Sequence, residues 1–376
     1  MPDDLLTANI VIAGGTGAGK STLINSVFGK DLARTGSGRP VTGSIVEYSS
    51  EGVPVRIWDT VGLELSPETT KKTAEDVKQT ILKHNSSDSV MDRIHAIWYC
   101  INSGSKRYQE REVEFIKELY SVRVPFMIIL TQCIDAKSVL DEFEGKIREI
   151  NKSECMNDID VVRVLAQDYS TAVGVVPKFG LDALVDVTMK RLPEFIRSGF
   201  AAAQNISMRQ KRKEAENILC EAVEETGSGF WNNVKNKVPL VNMLTTEGKI
   251  RSVFWKISKV YSSEIPRGEI MQIWEKVFCR IELLKGLTIP FIDFGNFRKQ
   301  LDNLIISENF DSDDRIGMLS ATDQAGIITA YFGYTFIISA ENIWKAQSED
   351  KLRKAEYLID ELADKLSAIA GVITKQ

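Results

Sequence analysis

Short apolar runs separated by polar, glycine-bearing stretches open the chain, at residues 9–13, 45–49, 53–58, 94–101, 124–131 and 159–165. Several runs are almost wholly apolar, the pattern of strands buried on both faces, and the stretches between them carry helical spacing. This alternation predicts an α/β fold with a mostly parallel six-stranded sheet covered by helices. Ser49-Ser50-Glu51-Gly52 reads as a tight turn, so the second and third strands are expected to run antiparallel. A helix over 181–196 closes this region.

Beyond Ser198 the alternation stops. Residues 201–225, 253–262, 269–285 and 345–369 all have helical spacing. The last carries Leu352, Ala355, Leu358, Ile359, Leu362, Leu366 and Ile369 on one stripe. The boundary is placed there, giving an α/β domain over 1–198 and a C-terminal all-α domain over 199–376.

Composition adds mainly exclusions. A length of 376 residues suits two domains, and 43% apolar with 26% charged residues is ordinary for a globular chain. A net charge of −5 supplies no basic footprint, so no nucleic-acid partner is expected. Five cysteines stand singly, without metal-ligand spacing, and only His84 and His95 are available for histidine chemistry. No basic segment precedes a long apolar run, and nothing approaches the roughly 18 consecutive apolar residues of a membrane-spanning helix. The expectation is a protein without a signal peptide, cytoplasmic, with peripheral contact to a membrane left open.

Chemistry concentrates near the N-terminus. Gly14-Gly15-Thr16-Gly17-Ala18-Gly19-Lys20-Ser21 fits G-x-x-x-x-G-K-[ST], with an apolar strand before it and a helix starting at Ser21. Glycines let the backbone turn its N–H groups inward onto phosphates, and the helix N-terminus adds partial positive charge. The candidate phosphate cradle is Gly15, Thr16, Gly17, Ala18, Gly19, Lys20, Ser21 and Thr22, with Lys20 reaching the terminal phosphates and Ser21 ligating Mg²⁺. A ligand-free glycine turn is the bland alternative, and the strand–loop–helix context argues against it.

Asp59-Thr60-Val61-Gly62 follows an apolar strand. There Asp59 is a candidate to hold the Mg²⁺ shell and Gly62 to bond the γ-phosphate, although D-x-x-G is also a common turn. Between the two motifs lies 29–42, where Gly36, Ser37, Gly38 and Pro40 predict a mobile loop without regular structure. Thr42 at its end either completes the metal shell or merely starts the next strand. Arg34 and Arg39 are either arginine fingers or solvated loop residues.

These motifs in this order resemble the GTPase superfamily. In that family guanine is read by [NT]-K-x-D after the fifth strand, and Thr131-Gln132-Cys133-Ile134-Asp135 is the counterpart here. Lysine is replaced by Gln132 and one residue is added, so the resemblance implies Thr131, Gln132 and Asp135 as base contacts, with Asp135 as reader. Ala166 would offer its N–H to the guanine carbonyl. Thr16–Ser21 and Pro40-Val41-Thr42-Gly43 resemble immunity-related and bacterial Era-like GTPases, and Ile97 to Asn102 resembles septin-like members. The second half resembles, faintly, a helical domain of unknown function fused to Era-like GTPases, some of them membrane-associated.

The resemblance implies GTP as substrate, Mg²⁺ as cofactor, Lys20, Thr42 and Gly62 as the catalytic set, and hydrolysis to GDP. Leu63 stands where Ras-type enzymes carry the water-orienting glutamine, so Glu64, backbone groups, a second copy or a partner must orient the attacking water. A homodimer through the nucleotide-binding domain is one way. Alternatives are a nucleotide-binding scaffold with negligible hydrolysis and an ATP-dependent enzyme. Residues 325–340 are apolar but short: about 16 residues span about 24 Å, against a hydrocarbon core of roughly 30 Å. A buried core helix is the simpler reading and membrane contact the alternative. Arg209, Lys211, Arg212 and Lys213 read as a solvated helix face or a contact for anionic lipid.

Overall fold

The computed structural model describes residues 5–29, 32, 39–42, 45–50, 53–60, 67–171, 174–227, 240–261, 330, 333–334, 336–338 and 340–341. The predicted helices over 269–285 and 345–369, and Gly62, Leu63, Glu64 and Arg34, lie outside them. The chain divides into two compact units, one over Leu5–Gln210 and the other holding Lys211–Gln376.

The first unit is built on one sheet. Its strands are β1 (Ala8–Gly14), β2 (Arg39–Thr42), β3 (Ile45–Ser49), β4 (Val55–Thr60), β5 (Ala96–Asn102), β6 (Phe126–Thr131) and β7 (Asp160–Arg163), in the order β2-β3-β4-β1-β5-β6-β7. β4, β1, β5, β6 and β7 are parallel. β3 runs antiparallel to β4, with Val46 opposite Asp59, as the turn at Ser49 predicts.

The six predicted strands are joined by a seventh. Arg39–Thr42, expected to be irregular, forms β2, antiparallel to β3. Pro40 lacks a donor for a central ladder, but β2 is an edge strand where that lack is tolerated. Glycines earlier in the segment masked the signal of Val41 and Thr42, both β-branched.

Helices α1 (Lys20–Phe28), α2 (Pro67–Asn85), α3 (Glu110–Tyr120), α4 (Lys137–Ser153), α5 (Leu181–Arg191) and α6 (Glu194–Ala203) flank the sheet. β5 shows why both faces are covered. Ile97, Tyr99 and Ile101 pack into a core with Val77 and Ile81 of α2, Phe115 and Ile116 of α3 and Phe143 of α4. On the other face Trp98 stacks on Phe28 of α1 and meets the edge of Phe200 of α6, and its indole N–H donates to Thr188 of α5. Aromatic pairs of this kind add about 1 kcal/mol each beyond their burial.

The single helix expected over 181–196 is two. Pro193 has no N–H and forces Leu192 into an extended conformation (φ −68°, ψ 143°), which ends α5 and lets α6 start afresh. α6 belongs with the sheet: a Cβ on Gly199 would fall 1.8 Å from the Leu6 carbonyl oxygen, so only glycine permits that approach. The compact unit therefore extends to Gln210, whereas the change of character along the sequence falls at Ser198. After β7, β8 (Tyr169–Thr171) and β9 (Gly174–Val176) form a separate antiparallel pair.

The second unit contains most of α7 (Met208–Gly227), which starts before the division, and α8 (Leu240–Tyr261). Of the apolar 325–340 stretch, Ala330, Tyr334, Phe336, Ile337, Ile338 and Ala340 are buried. Phe336 stacks on Phe254 at 4.3 Å, and a Cβ on Gly333 would lie 2.1 Å from the Leu219 side chain. These contacts fit the core-helix reading. Among the described residues no helix is long and apolar enough to cross a membrane.

The basic run needs correction. Arg209 and Lys213 are exposed, but Lys211 is fully buried and its ammonium donates to the Val260 carbonyl at 2.8 Å. Arg212 pairs with Glu341, whose carboxylate also accepts from the Tyr261 hydroxyl at 3.3 Å. An apolar stripe alongside these positions turned two of the four cations inward.

Candidate functional site

The C-terminal ends of β1, β4, β5 and β6 converge on one rim of the sheet, where parallel α/β folds open their crevice. β1 ends at Gly14, whose φ of 140° and tight fit against β5 exclude any side chain: a Cβ would meet the Cys100 carbonyl oxygen at 2.3 Å. The loop then turns through left-handed Gly17 (φ 73°) and Gly19 (φ 80°), and Gly19 caps the N-terminus of α1. The first-turn N–H groups of α1 thus face the rim. Lys20 folds back over the loop, its ammonium donating to the Gly14 and Gly15 carbonyls at 2.9 and 3.1 Å.

This loop walls a cavity of about 490 Å³ lined by Thr16, Gly17, Ala18, Gly19, Lys20, Ser21, Thr22, Val46, Tyr48, Asp59, Thr60 and Gln132. Its volume is in the range of small-molecule sites. Asp59 arrives from the end of β4, next to β1 through its register with Ile12. Burial pushes its carboxyl up to about 6, with Lys20 acting in the opposite sense. Among the described residues, Asp59 Oδ1 is buried with no hydrogen-bond partner. A buried carboxyl with an unsatisfied oxygen, lining the same cavity as a serine and a lysine, is poorly placed in a protein that binds nothing. A hard cation suits it, because Mg²⁺ takes oxygen ligands from one or two protein groups and completes its shell with phosphate and water. Ser21 and Asp59 are the described residues that fit it.

The loop after β6 braces the cradle. Thr131, buried, donates its hydroxyl to the Ala18 carbonyl at 2.7 Å and approaches Ile101 O at 3.2 Å. Gln132, with φ 53°, donates from Nε2 to the Gly17 carbonyl at 2.8 Å. Asp135 stands further along the same loop, in an ion pair with Lys106 at 3.3 Å. Ala166 follows β7, the neighbour of β6, and the Cys133 N–H bonds Val164 O across the two loop bases. The structure therefore gathers Thr16 to Thr22, Asp59 and Gln132 around one cavity. Thr131 acts on it from behind, and Asp135 and Ala166 stand on the adjoining loops outside its lining.

Thr42 ends β2 opposite Ile45. Sequence reasoning gave no role to Val46, Tyr48 or Thr60. The available signal was the two-residue period of β3 set against an antiparallel partner carrying Asp59: the register that pairs Val46 with Asp59 aims both Val46 and Tyr48 at the cavity. Burial, then the nearby Asp59 charge, raises the Tyr48 phenol.

Comparison with known proteins agrees with this geometry. Residues 9–132 match the family model described as 50S ribosome-binding GTPase. The tRNA modification GTPase MnmE of Treponema denticola is 24% identical over 235 residues, 59% of this chain and 44% of that protein. GTPase Der of Cereibacter sphaeroides is 43% identical over 56 residues, 14% of this chain and 12% of that protein. The crystal structure of a single-residue variant of Aquifex aeolicus Era bound to GDP·AlF4⁻ is 17% identical, with 60% of this chain and 69% of that chain covered and a TM-score of 0.32. The chain spans less than half the length of the two curated relatives. The matched segment carries the loop, the buried aspartate and the threonine brace described above, and this first unit has the P-loop GTPase fold.

Proposed function

We propose that this chain binds GTP with Mg²⁺, hydrolyses it to GDP and phosphate, and couples the nucleotide state to its helical unit or to partners. One observation carries the reading: Asp59, whose buried Oδ1 has no hydrogen-bond partner among the described residues, lines the same cavity as Lys20 and Ser21. Ser21 and Asp59 would hold Mg²⁺, which when bound neutralises charge on the phosphates. Lys20 leaves the Gly14 and Gly15 carbonyls to meet the terminal phosphates, and the α1 N–H groups bind the phosphate oxygens. Thr131 and Gln132 keep the loop from splaying by holding the Ala18 and Gly17 carbonyls.

Neighbouring strands supply the switch. β3 lines the cradle and pairs with β2, and Thr60 at the end of β4 lines it too. Contacts to a γ-phosphate would therefore bear on chain regions outside the nucleotide itself. Thr42 and Gly62 are the proposed contacts on those regions. Leu63 cannot hold a water by hydrogen bonding, which makes a second copy or a partner the source of the water-orienting group. A dimer across the nucleotide face meets that need.

Phosphate release from GTP and from ATP, each with and without Mg²⁺, tests the reading. GTP turnover that needs Mg²⁺ and vanishes in Lys20→Ala is the expected result. Turnover of ATP at an equal rate, or an unchanged rate in Lys20→Ala, overturns it.

A further inference from the structure

The lysine missing from the base-reading loop has a replacement in space. Gln132 occupies its place in the sequence, but both ends of the Gln132 amide are engaged elsewhere: Nε2 donates to Gly17 O, and Oε1 accepts from Asn102 at 3.3 Å. The cation beside Asp135 comes instead from the turn after β5. Lys106 Nζ lies 3.3 Å from Asp135 Oδ1.

That turn is built to place it. Asn102 Oδ1 accepts from the Gly104 N–H at 2.9 Å, Ser103 donates to the Gln132 carbonyl at 3.0 Å, and Ser105 donates to Asn102 O at 2.8 Å. The turn and the base-reading loop are thus tied together at Ser103 and Gln132. Lys106 closes the turn in the left-handed region, φ 49°, which a lysine adopts at a cost. The ion pair it gains leaves the lysine side chain 52% exposed, and exposed pairs of this kind add little to stability. Strain accepted for a contact of little structural value points to use.

We infer that Lys106 and Asp135 together form the guanine reader, with Lys106 its specificity-determining cation. The inference rests on the reading that Asp135 faces the base. Guanine presents an acceptor, O6, next to two donors, N1–H and the N2 amino group. A carboxylate accepts from the donors while an ammonium beside it donates to O6. Adenine presents an amino donor and then an acceptor, which mismatches both groups at once. The pair reads opposite signs of hydrogen bond along one edge, so each member contributes to discrimination.

Equilibrium binding of GDP, inosine diphosphate, xanthosine diphosphate and ADP to the full chain tests it, using Lys106→Met, Lys106→Arg and Asp135→Asn. Lys106→Met should weaken GDP and inosine diphosphate by a similar factor of about 10 to 100, because both keep O6, and leave ADP unchanged. Lys106→Arg, which keeps a donor, should stay within about threefold of the parent. Asp135→Asn reports the underlying reading and should turn preference toward xanthosine diphosphate. If Lys106→Met binds GDP like the parent, or loses GDP and ADP equally, while Asp135→Asn switches to xanthine, the inference falls and the reading stands. If Asp135→Asn shows no such switch, both fall.

Discussion

Replacing Asp59 with asparagine should stabilise the nucleotide-free protein while destroying its Mg²⁺-dependent binding. Burial lifts the carboxyl from 3.8 to about 6. At about 1.4 kcal/mol for each pH unit, the ionised form costs the free fold about 3 kcal/mol at pH 8. A carboxyl raised in the fold binds more protons folded than unfolded between those two values. Stability therefore falls as pH climbs from about 4 through 6, and the cost is fully present above that range. Asparagine removes the charge but adds an amide that itself needs partners, so the net gain at pH 8 should be about 1 to 2 kcal/mol. For a domain of this size that is a rise of about 2 to 8 °C in the melting temperature. The gain should shrink toward pH 5, where the parent carboxyl is already mostly protonated. Melting curves of nucleotide-free parent and variant at pH 5 and pH 8, with Mg²⁺-dependent GDP binding measured alongside, decide the matter. A variant that melts at or below the parent at pH 8, or that keeps its Mg²⁺ response, refutes the reasoning.

Three further outcomes follow from separate parts of the fold. Thr131→Val keeps the volume but leaves the Ala18 carbonyl without its donor, so it should cost about 1 to 2 kcal/mol in denaturant unfolding and also weaken GDP binding. Gly199→Ala sets a Cβ 1.8 Å from Leu6 O and should lower stability by about 3 kcal/mol or more, read as a fall in melting temperature. Lys211 has its ammonium pushed down to about 7 by burial. The unfolded chain then binds more protons than the folded one from pH 7 to pH 10, so stability rises over that range, and Lys211→Met should flatten the rise in a pH series of melts.

Much of the fold could be read from apolar runs because buried parallel strands leave an unambiguous trace. All six predicted strands form, and the turn at Ser49 fixed one antiparallel pair. β2 escaped because Pro40 and the preceding glycines argue locally for a loop, whereas an edge position relaxes that rule. The break at Leu192–Pro193 was visible in principle, since proline restricts its predecessor. The glycine loop that walls the cavity was legible as a contiguous motif tied to one backbone shape. Tyr48 and the pairing of Lys106 with Asp135 were not: Tyr48 reaches the cavity through strand register, Lys106 meets Asp135 from a neighbouring strand end, and neither stands in a motif. The inward turn of Lys211 was hidden by its charged neighbours Arg209, Arg212 and Lys213.

The cradle itself is best tested by equilibrium titration of the chain with a fluorescent GDP, with and without Mg²⁺, beside Lys20→Ala. Saturable binding of one nucleotide per chain, strengthened by Mg²⁺ and lost in the variant, is the result this account predicts. Absence of saturable binding to the parent chain, or equal binding by Lys20→Ala, would contradict it.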